Sequence, residues 1–166
     1  MSGRVLVAGI GNIFLGDDGF GVEVAQRLAG EAFPAGVRVV DFGIRGLHLA
    51  HELLNDYDTA ILVDAAPRGG VPGTVYVIEP DPVATTPDAP FDAHALNPEA
   101  VLAAVKALGG EVGRVLVVGC EPATVEEGIG LSAPVARAVD EALRVVRDLV
   151  ADETTSRTQE QEEART

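Results

Sequence analysis

Apolar residues along this chain alternate between short continuous runs and segments that repeat every three or four positions. Continuous runs are typical of buried strands, and the longer periodicity is typical of helices. The pattern predicts strands at 4–9, 37–40, 59–63, 74–78 and 114–119, and helices at 18–31, 47–54, 96–108 and 133–150. Strands that alternate with helices in this way indicate an α/β fold.

The strand predicted at 74–78 differs from the others in direction. Residues 65–72 are too few to form a crossover helix, so this strand is expected to run antiparallel to the third one. The predicted five-stranded sheet is therefore mixed and mostly parallel. Residues 79–93 are rich in Pro, Asp and Thr and have no periodicity, which predicts a long loop that leads to His94. Loops of this length in compact domains are often functional.

The length and the patterning together predict the domain organisation. A chain of 166 residues is most simply one domain, and the last apolar periodicity ends near position 150. We therefore expect a single domain over 1–150. Residues 151–166 are polar, charged and aperiodic, which is typical of a disordered acidic tail.

Charge and cysteine content narrow the class of protein. The formal net charge of −14 at pH 7 disfavours nucleic acids and anionic membranes as partners. The single cysteine, Cys120, excludes an internal disulfide and fits a reducing compartment. The chain shows no signal-peptide pattern and no apolar run of membrane-spanning length. We expect a cytoplasmic protein, and an acidic surface with short edge strands is compatible with a monomer.

The first strand leads into a glycine-rich loop that ends on two aspartates, Asp17 and Asp18. A strand, a Gly-x-Gly and a helix suggest a dinucleotide site, but Phe14 stands where the third glycine belongs. Two carboxylates at a helix N-terminus would also repel phosphate, so a nucleotide-dependent enzyme is only an alternative. We expect Asp17 to cap the helix. Asp18 is then left ionised toward the crevice, as a hard ligand for a divalent cation.

Three candidate metal ligands stand at the ends of predicted elements: Asp18 after strand one, Asp64 after strand three, and His94 after the long loop. Parallel strands bring their carboxyl ends to one edge of a sheet, so Asp18 and Asp64 should be neighbours. The long loop can bring His94 over the same edge. Two carboxylates and one imidazole suit a metal site with open positions, although polar strand ends also often only cap loops.

Several motifs of this chain, in this order, resemble those of the hydrogenase maturation proteases. They are GIGNIFLGDDGFG at 9–21, DFGIRG at 41–46, VDA at 63–65, a His-x-Leu at 94–96 and GCEPATVEEGIGLS at 119–132. These endopeptidases trim the C-terminus of the large subunit of nickel–iron hydrogenases. The resemblance covers about residues 4–150 and implies a three-layer α/β/α sandwich of the phosphorylase/hydrolase-like type around a mixed sheet.

The resemblance also implies a metal-sensing role for the three candidate ligands. The family's nickel-contacting positions fall on Asp18, Asp64 and His94. The nickel would be carried by the hydrogenase large-subunit precursor as substrate, and no resident cofactor is expected. A docked precursor would then have its scissile bond positioned and polarised. Asp41 is the best candidate for a supporting acid–base role. A chaperone that binds the nickel site without cleavage is a further alternative.

One motif departs from the pattern of the family. Many relatives carry Asp-Gly-Gly-Thr-x-Gly at 41–46, whereas this chain has Ile44 in place of the threonine. Any role of that hydroxyl is therefore lost here. Arg45 is instead a candidate contact for the substrate or its chain terminus.

The remaining polar residues near these motifs are expected to have no role in the chemistry. His48 and His51 lie on a short helix and are expected to be exposed polar residues. Cys120 is expected to be a small buried residue and not a nucleophile, because no activating context surrounds it. Glu126 and Glu127 are expected to form a solvated loop face.

Overall fold

The computed structural model describes residues 4–80 and 98–164. Its strands and helices follow the predicted order closely. They are β1 (Val5–Ile10), α1 (Phe20–Leu28), β2 (Val37–Gly43), α2 (Gly46–Glu52), β3 (Thr59–Ala65), β4 (Val75–Ile78), α3 (Pro98–Ala107), β5 (Arg114–Cys120) and α4 (Ala133–Ala164). A single 3-10 turn, Gly16–Gly19, precedes α1, so this helix begins two residues later than predicted.

The five strands form one mixed sheet in the order β2-β1-β3-β5-β4. All neighbouring pairs are parallel except β4 and β5, which confirms the prediction of a mixed, mostly parallel sheet. β4 runs opposite to β3, as predicted, but its hydrogen-bonded partner is β5. The chain crosses β5 to reach that edge, and the Ala66 N–H donates to the Cys120 carbonyl on the way.

Two apolar cores lie on opposite faces of the sheet, because successive strand residues point to opposite sides. In β1, Val5 and Val7 pack toward α1 and α4, whereas Leu6, Ala8 and Ile10 pack toward α2 and α3. All six residues of β1 are buried. Helices therefore cover both faces, which confirms the three-layer α/β/α arrangement.

Helix α1 lies unusually close to the sheet at two glycines. A Cβ atom at Gly21 would lie 2.0 Å from the Val63 carbonyl oxygen and 2.5 Å from that of Ile10. A Cβ atom at Gly9 would lie 2.3 Å from the Gly21 carbonyl oxygen. These glycines therefore serve close helix–sheet packing, which explains part of the Gly-rich pattern without a nucleotide.

The end of α4 differs from the sequence-based expectation. The helix continues to Ala164, although we predicted a helix end near Val150 and a disordered tail beyond it. Glu153 supplies a physical reason for the first turn beyond Val150, because it is buried despite its charge. Thr59 donates its hydroxyl to Glu153 Oε2 at 2.8 Å, and Arg114 forms an ion pair with Oε1. This anchor is polar, so the apolar periodicity could not show it.

The long loop predicted at 79–93 lies mainly outside the described residues, and His94 lies outside them as well. Within residues 4–80 and 98–164, none of the helices combines the length and the apolar character required of a membrane span.

We predict that Gly21→Ala destabilises the protein by about 3 kcal/mol, because the new methyl group overlaps two backbone carbonyls that cannot move independently. Urea unfolding monitored by circular dichroism measures this loss. Gly30→Ala is the matched control, since its Cβ would meet only the Arg27 carbonyl, at 3.7 Å. Equal stabilities of the two variants would contradict the close-packing explanation.

Candidate active site

Asp18 lies at the carboxyl edge of the sheet, in the 3-10 turn that follows the first glycine-rich loop. Its Oδ2 accepts a hydrogen bond from the Asn12 N–H at 2.8 Å. The Asn12 side chain folds the same loop, because its Oδ1 accepts from the Phe14 N–H at 2.9 Å. Asp18 is half-buried. The loop thus holds one carboxylate in place and leaves it partly accessible to solvent.

Asp64 lies near the carboxyl end of β3, where its carboxylate is buried and accepts few hydrogen bonds. Its side-chain Oδ1 has no hydrogen-bond partner among the described residues. Burial raises the pKa of the Asp64 carboxyl well above its usual value, and the negative charge of Asp18 raises it further. The hydrogen bond from the Ala65 N–H lowers this pKa, but does not offset the burial. Such an orphaned oxygen beside a second carboxylate favours a cation.

Gly11 lies between the Asp18 backbone and the Asp64 carboxylate. Strands β1 and β3 are parallel and pair Gly9 with Val63, so the residues after them emerge side by side. A Cβ atom at Gly11 would lie 3.8 Å from Asp64 Oδ1 and only 1.9 Å from the Asp18 carbonyl oxygen. The φ of Gly11 is +141°, which side chains rarely adopt. The prediction that Asp18 and Asp64 are neighbours is therefore supported by the geometry.

A cavity of about 200 Å³ opens beside Asp64. Glu99, in the first turn of α3, lines it and also raises the pKa of Asp64 through its charge. Arg68 lines it from the β3–β4 connection and stacks over the Tyr76 ring at 5.7 Å. Glu99 does not stand out as a site residue in the sequence, because an acidic residue in the first turn of a helix is common.

Asp17 does not cap α1, contrary to the expectation. It is fully buried and accepts four hydrogen bonds from the segment that follows β5. The donors are the backbone N–H groups of Ala123, Thr124 and Ser132 and the Ser132 hydroxyl, at 2.8, 3.1, 2.7 and 2.8 Å. Burial alone would raise the pKa of Asp17, but these hydrogen bonds outweigh it and lower the pKa. Asp17 therefore joins the loop after β1 to the loop after β5.

Asp41 has both carboxylate oxygens engaged. Oδ1 accepts from the Gly43 N–H at 2.9 Å, and Oδ2 accepts from Gln26 Nε2 at 3.2 Å. The Gly43 carbonyl in turn accepts from the Gly11 N–H at 3.0 Å, which places the β2 loop against the first loop. These contacts show Asp41 orienting the loops, and its acid–base role stays a prediction.

Arg45 is occupied by its own loop. Its guanidinium donates to the carbonyl oxygens of Asp41, at 2.7 Å, and Phe42, at 3.1 Å. Ile44, which replaces the threonine of many relatives, is exposed.

His94, the third predicted metal ligand, lies outside the described residues. Within residues 4–80 and 98–164, no three His, Cys, Asp or Glu side chains converge to hold a metal ion. His48 and His51 are exposed, as predicted, and so are Glu126 and Glu127.

Cys120 is fully buried, as predicted. Burial and nearby negative charges, first of all that of Asp17, raise the pKa of its thiol to about 11. The thiolate that a nucleophile requires is therefore nearly absent at neutral pH.

Glu121 is a second carboxylate near the site that no sequence pattern distinguishes. It is buried directly after β5 and accepts hydrogen bonds from the Arg68 N–H at 2.8 Å and the Tyr76 hydroxyl at 3.0 Å. These hydrogen bonds outweigh its burial and lower its pKa. Glu121 thus holds the β3–β4 connection that walls the cavity beside Asp64.

Comparisons with known proteins agree with this arrangement. The family described as "HycI: Hydrogenase maturation protease" matches residues 22–148. This chain belongs to the hydrogenase maturation protease family. The protease is 36% identical to the hydrogenase expression/formation protein HupD of Rhodobacter capsulatus, over 88% of this chain and 71% of that protein. It is 30% identical to the hydrogenase 2 maturation protease of Escherichia coli, over 86% and 88%.

The solved structures place the protease in the same fold. The hydrogenase maturating endopeptidase HybD from E. coli superposes with a TM-score of 0.74 at 28% identity, covering 90% of this chain and 93% of that one. The family membership identifies the enzyme as a hydrolase of peptide bonds, and so decides against the chaperone and nucleotide-dependent alternatives.

We predict that Asp17→Asn lowers the free energy of unfolding by about 3 kcal/mol at neutral pH, because the new amide group faces backbone N–H donors and loses charge-assisted hydrogen bonds. Since folding lowers the pKa of Asp17, its contribution is present above the unfolded pKa of about 3.9 and disappears as the pH falls through the folded value. Urea titrations at about pH 7 and about pH 3 should show the difference between variant and parent shrinking.

Asp18→Asn is the adjacent control, with an expected loss of at most about 1 kcal/mol, because the structure shows one backbone N–H donating to that carboxylate and the variant also removes its repulsion of Asp64. Equal losses for the two variants would contradict the distinct role assigned to Asp17.

We predict the opposite sign for Asp64→Asn in the protein without added metal. Because folding raises the pKa of Asp64, the ionised carboxylate destabilises the folded state increasingly as pH rises from the unfolded toward the folded pKa. The variant should therefore melt higher than the parent at about pH 8, and the gain should be smaller at about pH 5. Asp148→Asn, at an exposed position of α4, should show no such trend. A lower melting temperature of Asp64→Asn at about pH 8 would disprove the assigned burial cost.

Proposed function

We propose that this protease removes a C-terminal peptide from the nickel-loaded large-subunit precursor of a nickel–iron hydrogenase. Its substrate carries the metal, and Asp18, Asp64 and His94 contact that nickel during recognition. Family membership supports the reaction class, and relatives such as the E. coli hydrogenase 2 maturation protease support the substrate class. The nickel contact is what the resemblance implies, and the environment of Asp64 supports a cation at this position.

The observation that carries the nickel contact is the Asp64 Oδ1 atom, which has no hydrogen-bond partner within residues 4–80 and 98–164. Leaving a buried carboxylate oxygen without a donor is costly, so its retention requires a reason. A second carboxylate, Asp18, lies close enough to raise its pKa. The missing hydrogen bond and the neighbouring negative charge both disfavour two ionised carboxylates side by side, and they favour a cation that binds to both. Nickel presented by the precursor supplies that cation only when the correct substrate is docked.

The residues of this chain then act mainly by positioning. Asp18 and Asp64 would hold the nickel at the sheet edge, and the His94 imidazole would complete the protein ligands. The bound metal supplies Lewis acidity near the scissile bond. Asp41 keeps the loop after β2 against the first loop, which holds the edge of the site in place. Its proposed acid–base role would be a supporting one.

We infer that the enzyme is located in the cytoplasm and acts there as a monomer. The free, buried thiol of Cys120 fits a reducing compartment, and the net charge of −14 disfavours self-association.

We predict that incubation with this protease shortens a nickel-loaded cognate precursor by a short C-terminal peptide, whereas a nickel-free precursor keeps its full mass. Intact-mass spectrometry of the precursor measures the outcome. The expected difference arises because only the loaded precursor supplies the cation that Asp18 and Asp64 require. Cleavage of both precursors would disprove the nickel contact but keep the protease.

Two variants sharpen this experiment. Asp64→Asn should fold and yet leave the loaded precursor intact, because an amide oxygen is a weaker ligand for a divalent cation. Asp148→Asn, an exposed carboxylate on α4, should process at the parent rate. Processing by Asp64→Asn at the parent rate would overturn the assignment of the site.

A further inference from the structure

One end of the molecule exposes large apolar side chains next to the candidate site. Six of the nine large apolar residues that are exposed in the described part lie on the segments after β1, β2 and β5. They are Ile13, Phe14, Ile44, Leu47, Val125 and Ile129, which we call the apolar rim. Phe14 is 59% exposed and Ile129 is 80% exposed. Clustered apolar exposure of this kind marks interaction sites, whereas single exposed residues do not.

The backbone beneath the apolar rim is hydrogen-bonded across the segments. The Gly128 N–H donates to the Phe14 carbonyl at 2.8 Å, and the Gly16 N–H donates to the Gly128 carbonyl at 2.9 Å. The Gly11 N–H donates to the Gly43 carbonyl at 3.0 Å and so attaches the β2 segment. The rim side chains therefore project from a cross-linked scaffold, which reduces the ordering cost of binding.

Charge indicates the chemistry of the partner. Glu126 and Glu127 lie between Val125 and Ile129, are exposed, and form no salt bridge with the described residues. The whole chain carries a net charge of −14. A second copy of this chain would bring the same carboxylates face to face and be repelled. A partner with an apolar patch bordered by basic side chains fits instead.

The apolar rim is also continuous with the candidate active site. Ile13 and Phe14 lie on the loop that ends in Asp18, and Asp17 ties that loop to the segment bearing Val125 and Ile129. A protein seated on the rim therefore has its edge at the carboxylates.

We propose that the apolar rim docks the folded body of the hydrogenase precursor, through an apolar patch bordered by basic residues on that precursor. This inference rests on the proposed function and adds a docking surface that is separate from the nickel ligands. Docking through the rim would select the precursor before its metal is sensed. Phe14 and Ile129 are its central apolar contacts, and Glu126 and Glu127 are its charged border.

Equilibrium binding to a nickel-free precursor tests the rim without requiring turnover. We expect Phe14→Ala combined with Ile129→Ala to raise Kd at least about 10-fold, because buried anchors dominate interface energies. Leu108→Ala is the matched control, since Leu108 is exposed just after α3, on the way to the start of β5 at the opposite edge of the sheet. It should leave Kd unchanged. With loaded precursor, the double variant should raise KM and keep kcat, because the metal contacts are intact.

Charge is tested separately. Glu126→Gln with Glu127→Gln should weaken binding about 3-fold at low salt and have no effect at about 0.5 M salt. Glu111→Gln, an exposed carboxylate in the turn before β5, should have no effect at either salt concentration.

The outcomes separate this inference from the proposed function. A parent-like Kd for the Phe14/Ile129 double variant would overturn the docking surface, whatever the parent cleaves. Sedimentation of the parent as a dimer that this variant abolishes, with precursor binding unchanged, would reassign the rim to self-association and also overturn it. Failure of the parent to distinguish loaded from nickel-free precursor would instead overturn the nickel contact and leave the binding result standing.

Discussion

The buried carboxylate of Asp17 is the interaction on which the functional end of this protease depends. It accepts hydrogen bonds from Ala123, Thr124 and Ser132, more than one hundred residues away along the chain. Those bonds join the loop after β1 to the segment after β5, across the top of the sheet. The neighbouring Asp18 then has a defined position relative to β3. Without this tie, the two segments would have to be ordered separately, at a cost in conformational entropy.

In the candidate active site, by contrast, the buried carboxylate of Asp64 lacks the hydrogen bonds that stabilise Asp17. Asp64 is also buried, but the structure describes no donor for its Oδ1, and Asp18 and Glu99 add further negative charge. One carboxylate thus stabilises the fold and the other destabilises it in the absence of a cation. This division is typical of functional sites, where local stability is exchanged for affinity toward a ligand. The proposed substrate-borne nickel would relieve that repulsion only in the docked complex.

Much of the architecture could be predicted from local pattern, and particular elements show why. The continuous apolar runs of β1 and β3 predict strands that are buried on both faces, as the structure shows. The short connection after Ala65 predicts the reversed direction of β4. The same reasoning failed where polar contacts decided the outcome. Helix α4 continues past its apolar stripe because Glu153 bonds Thr59 and Arg114. A single buried polar residue does not repeat along the chain, so the pattern of apolar residues cannot predict it.

Local patterns along the chain predict the α/β fold and place Asp18 and Asp64 after neighbouring strands, and the motifs predict the family. The role of each carboxylate follows from contacts that form only in the folded protein. Asp17 and Asp18 are adjacent and chemically identical, yet Asp17 is fully buried and accepts four hydrogen bonds, whereas Asp18 is half-buried and accepts one from the Asn12 N–H. The physical reason is that periodicity is a local property, whereas the donors that satisfy or neglect a carboxylate come from distant segments. Strand order brings those segments together, and strand order is a property of the folded chain.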